Sequence, residues 1–178
     1  MKKSLIFAAA LVLATSTAFA QLGTSTVPNT LSVSPVAEAA LTIGGSATNL
    51  TSPGLNFSNY TGTTTFTYFI RTSETGGTGS IVLKVTSDFS PTGGPSVASP
   101  ASGDALTYTC TVSSPGTACT GSQTASTTSV SPVATFGAAA HSAKVGNSAS
   151  IVWTLPNDPV YQTPGPYTAT VTYTISAA

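Results

Sequence analysis

Tyr167-Thr168-Ala169-Thr170-Val171-Thr172-Tyr173-Thr174-Ile175 alternates without a break: five apolar or aromatic residues fall on one side and four threonines on the other. A period of two belongs to a β-strand with one buried face and one wet face, and a helix cannot present it. Working back along the chain, Leu106, Tyr108, Cys110 and Val112 repeat the pattern against Thr107, Thr109 and Thr111. Ala149, Ile151, Trp153 and Leu155 do so against Ser150, Val152 and Thr154. In the segment Thr63 to Arg71, Phe66, Tyr68 and Ile70 share a face, while Phe69 turns the other way with Thr67. Ile81, Leu83 and Val85 oppose Val82 and Lys84 in the next segment, and the glycine-rich stretch Ser73 to Gly79 between the two reads as a hairpin loop.

Shorter strand candidates are Leu31 to Val36, Ala40 to Ile43, Leu55 to Phe57 and Val130 to Phe136, separated by glycine and proline clusters. The alanine-rich stretch Gly137 to Gly146 lacks a continuing apolar face and reads as a loop. Seven to nine short strands, with hydroxyls outward and aromatics inward, predict an all-β chain folded as an antiparallel β-sandwich. A closed barrel is the competitor, because it too buries alternate residues. Trp153, between Ile151 and Leu155 on an apolar face, is read as core and not as a sugar-stacking platform.

At the start of the chain Lys2 and Lys3 precede an apolar run, Leu5 to Leu13, and Ala18-Phe19-Ala20 forms an A-x-A exit. This predicts a secretory signal peptide over residues 1–20, cleaved before Gln21. The run is too short to span a bilayer and no second one follows, so no transmembrane segment is expected in the mature chain. Residues 21–36 are then an N-terminal extension or first strand, and residues 37–178 the sandwich domain. Export places the protein in the periplasm, at the cell surface or outside the cell.

Without the leader, the basic groups are Arg71, Lys84 and Lys144 against Glu38, Glu74, Asp88, Asp104 and Asp158, a net charge of −2. No basic patch is available for a phosphate backbone, which argues against nucleic-acid binding. Serine and threonine, about a third of the mature chain, supply the polar surface in place of charge. Such a surface has little self-repulsion to keep copies apart and suits a coat, fibre or matrix protein. Cys110 and Cys119, with eight residues between them that include Ser114-Pro115-Gly116, read as one disulfide across a short loop in an oxidising compartment.

Groups able to move protons are scarce. His141 is the one histidine, no GxSxG elbow is present, and the five acids stand in turn-like contexts such as Asn157-Asp158-Pro159. The chain is therefore read as non-enzymatic, with no cofactor. Zinc-type ligands are lacking as well, and Asp88, Asp104 and Asp158 are the oxygen donors left to a calcium ion, without an EF-hand or glycine-aspartate repeat around them. Tyr60, Tyr161 and Tyr167 lie in or beside predicted loops and are the candidate contacts for a glycan.

The closing stretch, Gly165-Pro166-Tyr167 followed by the threonine-valine strand, resembles the last strand of exported bacterial Ig-like subunits, the chaperone–usher pilins and the spore-coat-U-like secreted proteins. Gly165 is fourteenth from the C-terminus, where pilins of that type often carry a glycine, whereas Ala177 stands in place of their penultimate tyrosine. The resemblance implies an Ig-like sandwich and assembly by strand donation, the extension of one copy completing the sheet of the next. Val27, Leu31, Val33 and Val36, flanked by Pro28 and Pro35, would be the anchors of that strand. The alternative is an ordinary first strand folded onto its own domain.

The expected function is that of an exported structural or adhesive surface protein, a self-assembling fibre or coat subunit whose partners are further copies or other surface proteins. The alternative is a secreted carbohydrate- or surface-binding module with a glycan ligand. A threonine-array ice-binding surface is a third reading, and it requires the threonine row of residues 168–174 to line up with rows on neighbouring strands.

Overall fold

The computed structural model describes residues 26–98, 104–163 and 165–178; the predicted signal peptide lies outside the described residues. The chain divides into two units, Met1–Ser34 and Pro35–Ala178. Residues 26–34 of the first form neither strand nor helix, and Val27, Leu31 and Val33 are exposed. The strand candidate Leu31 to Val36 is therefore not a strand. Pro28 and Pro35 flank it, and each lacks the N–H that a ladder needs.

The second unit carries β1 (Glu38–Ile43), β2 (Tyr60–Arg71), β3 (Gly79–Ser90), β4 (Thr107–Val112), β5 (Thr117–Ala118), β6 (Gln123–Thr124), β7 (Ser131–Phe136), β8 (Asn147–Leu155) and β9 (Thr168–Ala177). They form two antiparallel sheets, ordered β1-β2-β8-β4-β6 and β5-β7-β3-β9. No ladder joins the sheets, so the fold is a β-sandwich and not a barrel, and no helix occurs among the described residues. The long alternating segments all became strands. β5 and β6, at two residues each, are too short for any alternation to reveal them.

From β2 onward the chain changes sheet at every connection. The expected hairpin at Ser73 to Gly79 is accordingly a crossing from β2 in the first sheet to β3 in the second. A glycine-rich loop reports a reversal of direction and not the layer into which the chain turns. This one is wound tightly, because a Cβ on Gly77 would collide with the Ser73 backbone. It also closes over the last residue, with Ser73 N and Thr78 N both donating to the Ala178 carbonyl. Leu55 to Phe57 is a turn and not a strand: Asn56 and Phe57 both have φ of 52°, in the left-handed region, and Ser58 N donates to Leu55 O at 3.1 Å.

Between the sheets the core is built from the predicted faces. Phe66, Tyr68 and Ile70 of β2 meet Ile81, Leu83 and Val85 of β3, with Tyr108, Val133, Phe136, Ile151 and Leu155 around them. Trp153 is core as expected, 4% exposed, its ring 5.3 Å from that of Tyr108 and its Nε1 donating to Thr64 Oγ1 at 2.9 Å.

Candidate functional site

The two long sides of the sandwich differ. One side ends in the short strands β5 and β6 and is stapled by the Cys110–Cys119 disulfide, with Cα atoms 5.5 Å apart. Cys110 belongs to β4 in the first sheet. Cys119 follows β5 in the second and is held by a 2.9 Å bond from its N–H to Val133 O. The bridge thus joins the two layers.

The other side is open. β1 terminates the first sheet and β9 the second, and the two pack against each other without a ladder between them. β9 bonds to β3 on one side, and no described strand lies on its other. Its inward row, Ala169, Val171, Tyr173, Ile175 and Ala177, packs on the core and is only partly buried along its whole length. Across the cleft β1 offers Ala39 and Leu41, partly buried, and Ile43, 42% exposed. Tyr173 reaches furthest in, its ring 5.1 Å from that of Phe66. Burial pushes the Tyr173 phenol up, and a hydrogen bond with Thr64 partly offsets this. A ten-residue strand with one edge unpaired, above a half-covered apolar row, is what an added strand needs, since the main chain supplies hydrogen bonds and alternate side chains fill the cleft.

The anchors expected from the sequence are apolar side chains in water: Val27 is 85% exposed, Leu31 and Val33 88% and Val36 68%. The Val36 carbonyl accepts from Arg71 Nε at 2.7 Å. Of the three tyrosines, Tyr60 opens β2 and packs on the core, and Tyr161 donates to the buried Asp104 carboxylate at 3.5 Å. Tyr167 donates to Gln162 O at 3.0 Å and covers Gly94 so closely that a Cβ there would strike its ring. Tyr60 and Tyr161 come close enough to influence each other, and no flat exposed row of three rings is formed.

Sequence reading missed an order in the outer face of the first sheet. In register, Thr61 of β2 stands beside Thr154 of β8 and Thr107 of β4, and further along Thr65 stands beside Ser150 and Thr111. Between these rows only Val152 interrupts the hydroxyls, with Thr63 and Thr109 on either side. On β9 the order is broken: Thr172 faces Lys84 and Thr174 faces Val82, while Thr168 and Thr170 face Ser90 and Ser87 and the Thr172 hydroxyl meets that of Thr86 at 3.0 Å, so the neighbour continues the threonine row only in part. The alternation that marks a strand says nothing of which residues its partners bring alongside.

Arg71, Lys144 and His141 share a recess of about 440 Å³ with Glu38 and Phe69, and Arg71 Nη2 pairs with Glu38 Oε2 at 3.1 Å. The His141 ring meets the Ala139 carbonyl at 3.0 Å, and the neighbouring Ser142 hydroxyl accepts from Ile70 N at 3.0 Å. Asp88 is saturated, accepting from the N–H groups of Phe89, Val97 and Ala98 and from the Ser96 hydroxyl. Among the described residues no helix is long and apolar enough to cross a membrane, and no three of His, Cys, Asp and Glu gather as metal ligands. No family model, no curated protein and no solved structure matches the chain.

Proposed function

We propose that this protein is an exported, non-enzymatic structural or adhesive subunit that assembles by strand addition, the extension of one copy pairing with β9 of another. The observation that carries this reading is the free edge of β9 above a half-buried apolar row. The exposed Val27, Leu31 and Val33 support it, since they share one parity in the sequence and so one face of an extended strand. The disulfide supports an oxidising compartment. Light scattering on the purified chain with and without residues 21–36 tests it. Large assemblies that become monomers on truncation are expected, and a monomer in both forms would sink the mechanism.

A second reading, a module that binds a repeating hydroxylated surface, is favoured by the uncharged hydroxyl rows on β2, β8 and β4. Cosedimentation with insoluble polysaccharides and an ice-affinity assay on the truncated chain test it. Replacing Thr65 and Thr111 by Lys is expected to abolish capture if that face is the contact.

A further inference from the structure

Tyr60 at the start of β2 pairs with Leu155 at the end of β8, and Thr107 at the start of β4 pairs with Thr154, so these strand ends form one pole of the sandwich. Asp104 lies just before β4 at this pole. It is 5% exposed, and its Oδ1 is fully buried with no hydrogen-bond partner. Its other oxygen accepts only a long bond, 3.5 Å, from the Tyr161 hydroxyl. Asp158 starts the turn that delivers Tyr161: its Oδ1 accepts from Val160 N at 3.0 Å and its carbonyl from Tyr161 N at 3.1 Å. Burial first, and then the charges of Asp104 and Asp158, push the Tyr161 phenol up to about 12. The Asp104 carboxylate thus meets the Tyr161 hydroxyl directly, and Asp158 opens the turn that carries it.

No cation among the described residues answers them. Arg71 is at the opposite pole, paired with Glu38, and Lys144 shares its recess. Lys84 stands on the outer face of the second sheet opposite Thr172. A buried carboxylate oxygen without a partner is costly, and such an atom calls for an ion or a water. The donors here are all oxygens, which suits a hard divalent ion and not zinc.

We propose that this pole binds calcium, with the Asp104 carboxylate as the buried ligand, Asp158 as the second, and the Tyr161 ring beside the ion. The ion would tie the connection before β9 to the start of β4. With two carboxylates the affinity belongs to the weak class, roughly 0.1–1 mM, found in extracellular modules. The site is separate from the β9 cleft and does not depend on strand addition.

Terbium, which emits when a nearby tyrosine is excited, is the probe. The full chain in chelator-free buffer is expected to give sensitised emission that calcium displaces, and calcium is expected to raise Tm. Asp104→Asn and, at the less buried turn, Asp158→Asn should each weaken binding by roughly tenfold or more. Glu74→Gln, in the distant Ser73 loop, should leave it unchanged, and Tyr161→Phe should weaken emission, Tyr60 remaining at the same pole, while keeping the calcium-induced rise in Tm. Absence of both emission and a Tm response overturns the proposal, as does emission that survives in both Asp variants. A calcium-free Asp104→Asn protein more stable than the parent, with no calcium response in the parent, would overturn it as well.

Discussion

Thr64 sits where a buried hydroxyl has most to do. Its Oγ1 accepts from the Trp153 indole at 2.9 Å and meets the Thr48 hydroxyl at 2.6 Å, and Tyr173 bonds to the same side chain. Thr64→Val keeps the shape and strands the indole N–H, so a loss of about 1–3 kcal/mol is expected in urea unfolding. Asp88 plays the corresponding part for a loop. Burial raises its pKa, but the hydrogen bonds from Val97, Ala98, Ser96 and Phe89 outweigh this and hold the carboxyl below its usual range. A depressed folded pKa contributes stability that is fully present above the unfolded value of about 3.9 and is lost as pH falls through the folded value. Asp88→Asn should therefore unfold with a weaker acid dependence below pH 4 than the parent, as followed by circular dichroism. Neither role was legible in advance. Thr64 looks like any other threonine of its strand until Trp153 is placed beside it, and Asp88 looks like a turn acid until the backbone of residues 96–98 wraps it.

At the scale of elements, legibility followed length. β2, β4, β8 and β9 were readable because each spans enough residues for a period of two to show, whereas β5 and β6 left no trace. Strand order was not readable. The alternation from Tyr167 to Ile175 would be the same in a central strand as at an edge, and only the packing shows that β9 is half covered. Likewise the apolar residues of 27–36 stood out in a polar stretch, but their exposure is a property of the structure. If they are the added strand, Leu31→Asp combined with Val33→Asp should yield monomers in light scattering. Tm should match that of the monomeric chain lacking residues 21–36, because both positions are 88% exposed in the subunit.

For the molecule as a whole, the disulfide and the topology set the behaviour. Closing the short loop between Cys110 and Cys119 contributes about 2–3 kcal/mol in the chain-entropy view. Reduction, or replacement of both cysteines by alanine, should therefore lower Tm by about 5–10 °C in a scanning calorimeter. Because every connection from β2 onward changes sheet, no tight hairpin can form early, and each ladder must close a long loop first. Refolding on the millisecond-to-second scale of β-sandwiches or slower is expected in stopped-flow fluorescence of Trp153.

Glu38, where β1 begins, stands beside Arg71, and Ala177, near the end of β9, stands beside Gly79. The short crossing of residues 72–78 links those two neighbours, so the nine strands are entered and left at the same pole. Tension drawn between the two ends would act across the strands and not along them. The ladders of β1 and β9 would then open like a zip, one hydrogen bond after another, instead of resisting in shear with all bonds loaded together. The disulfide stands on the far side of the sandwich and would protect only the few residues inside its own loop from being pulled straight.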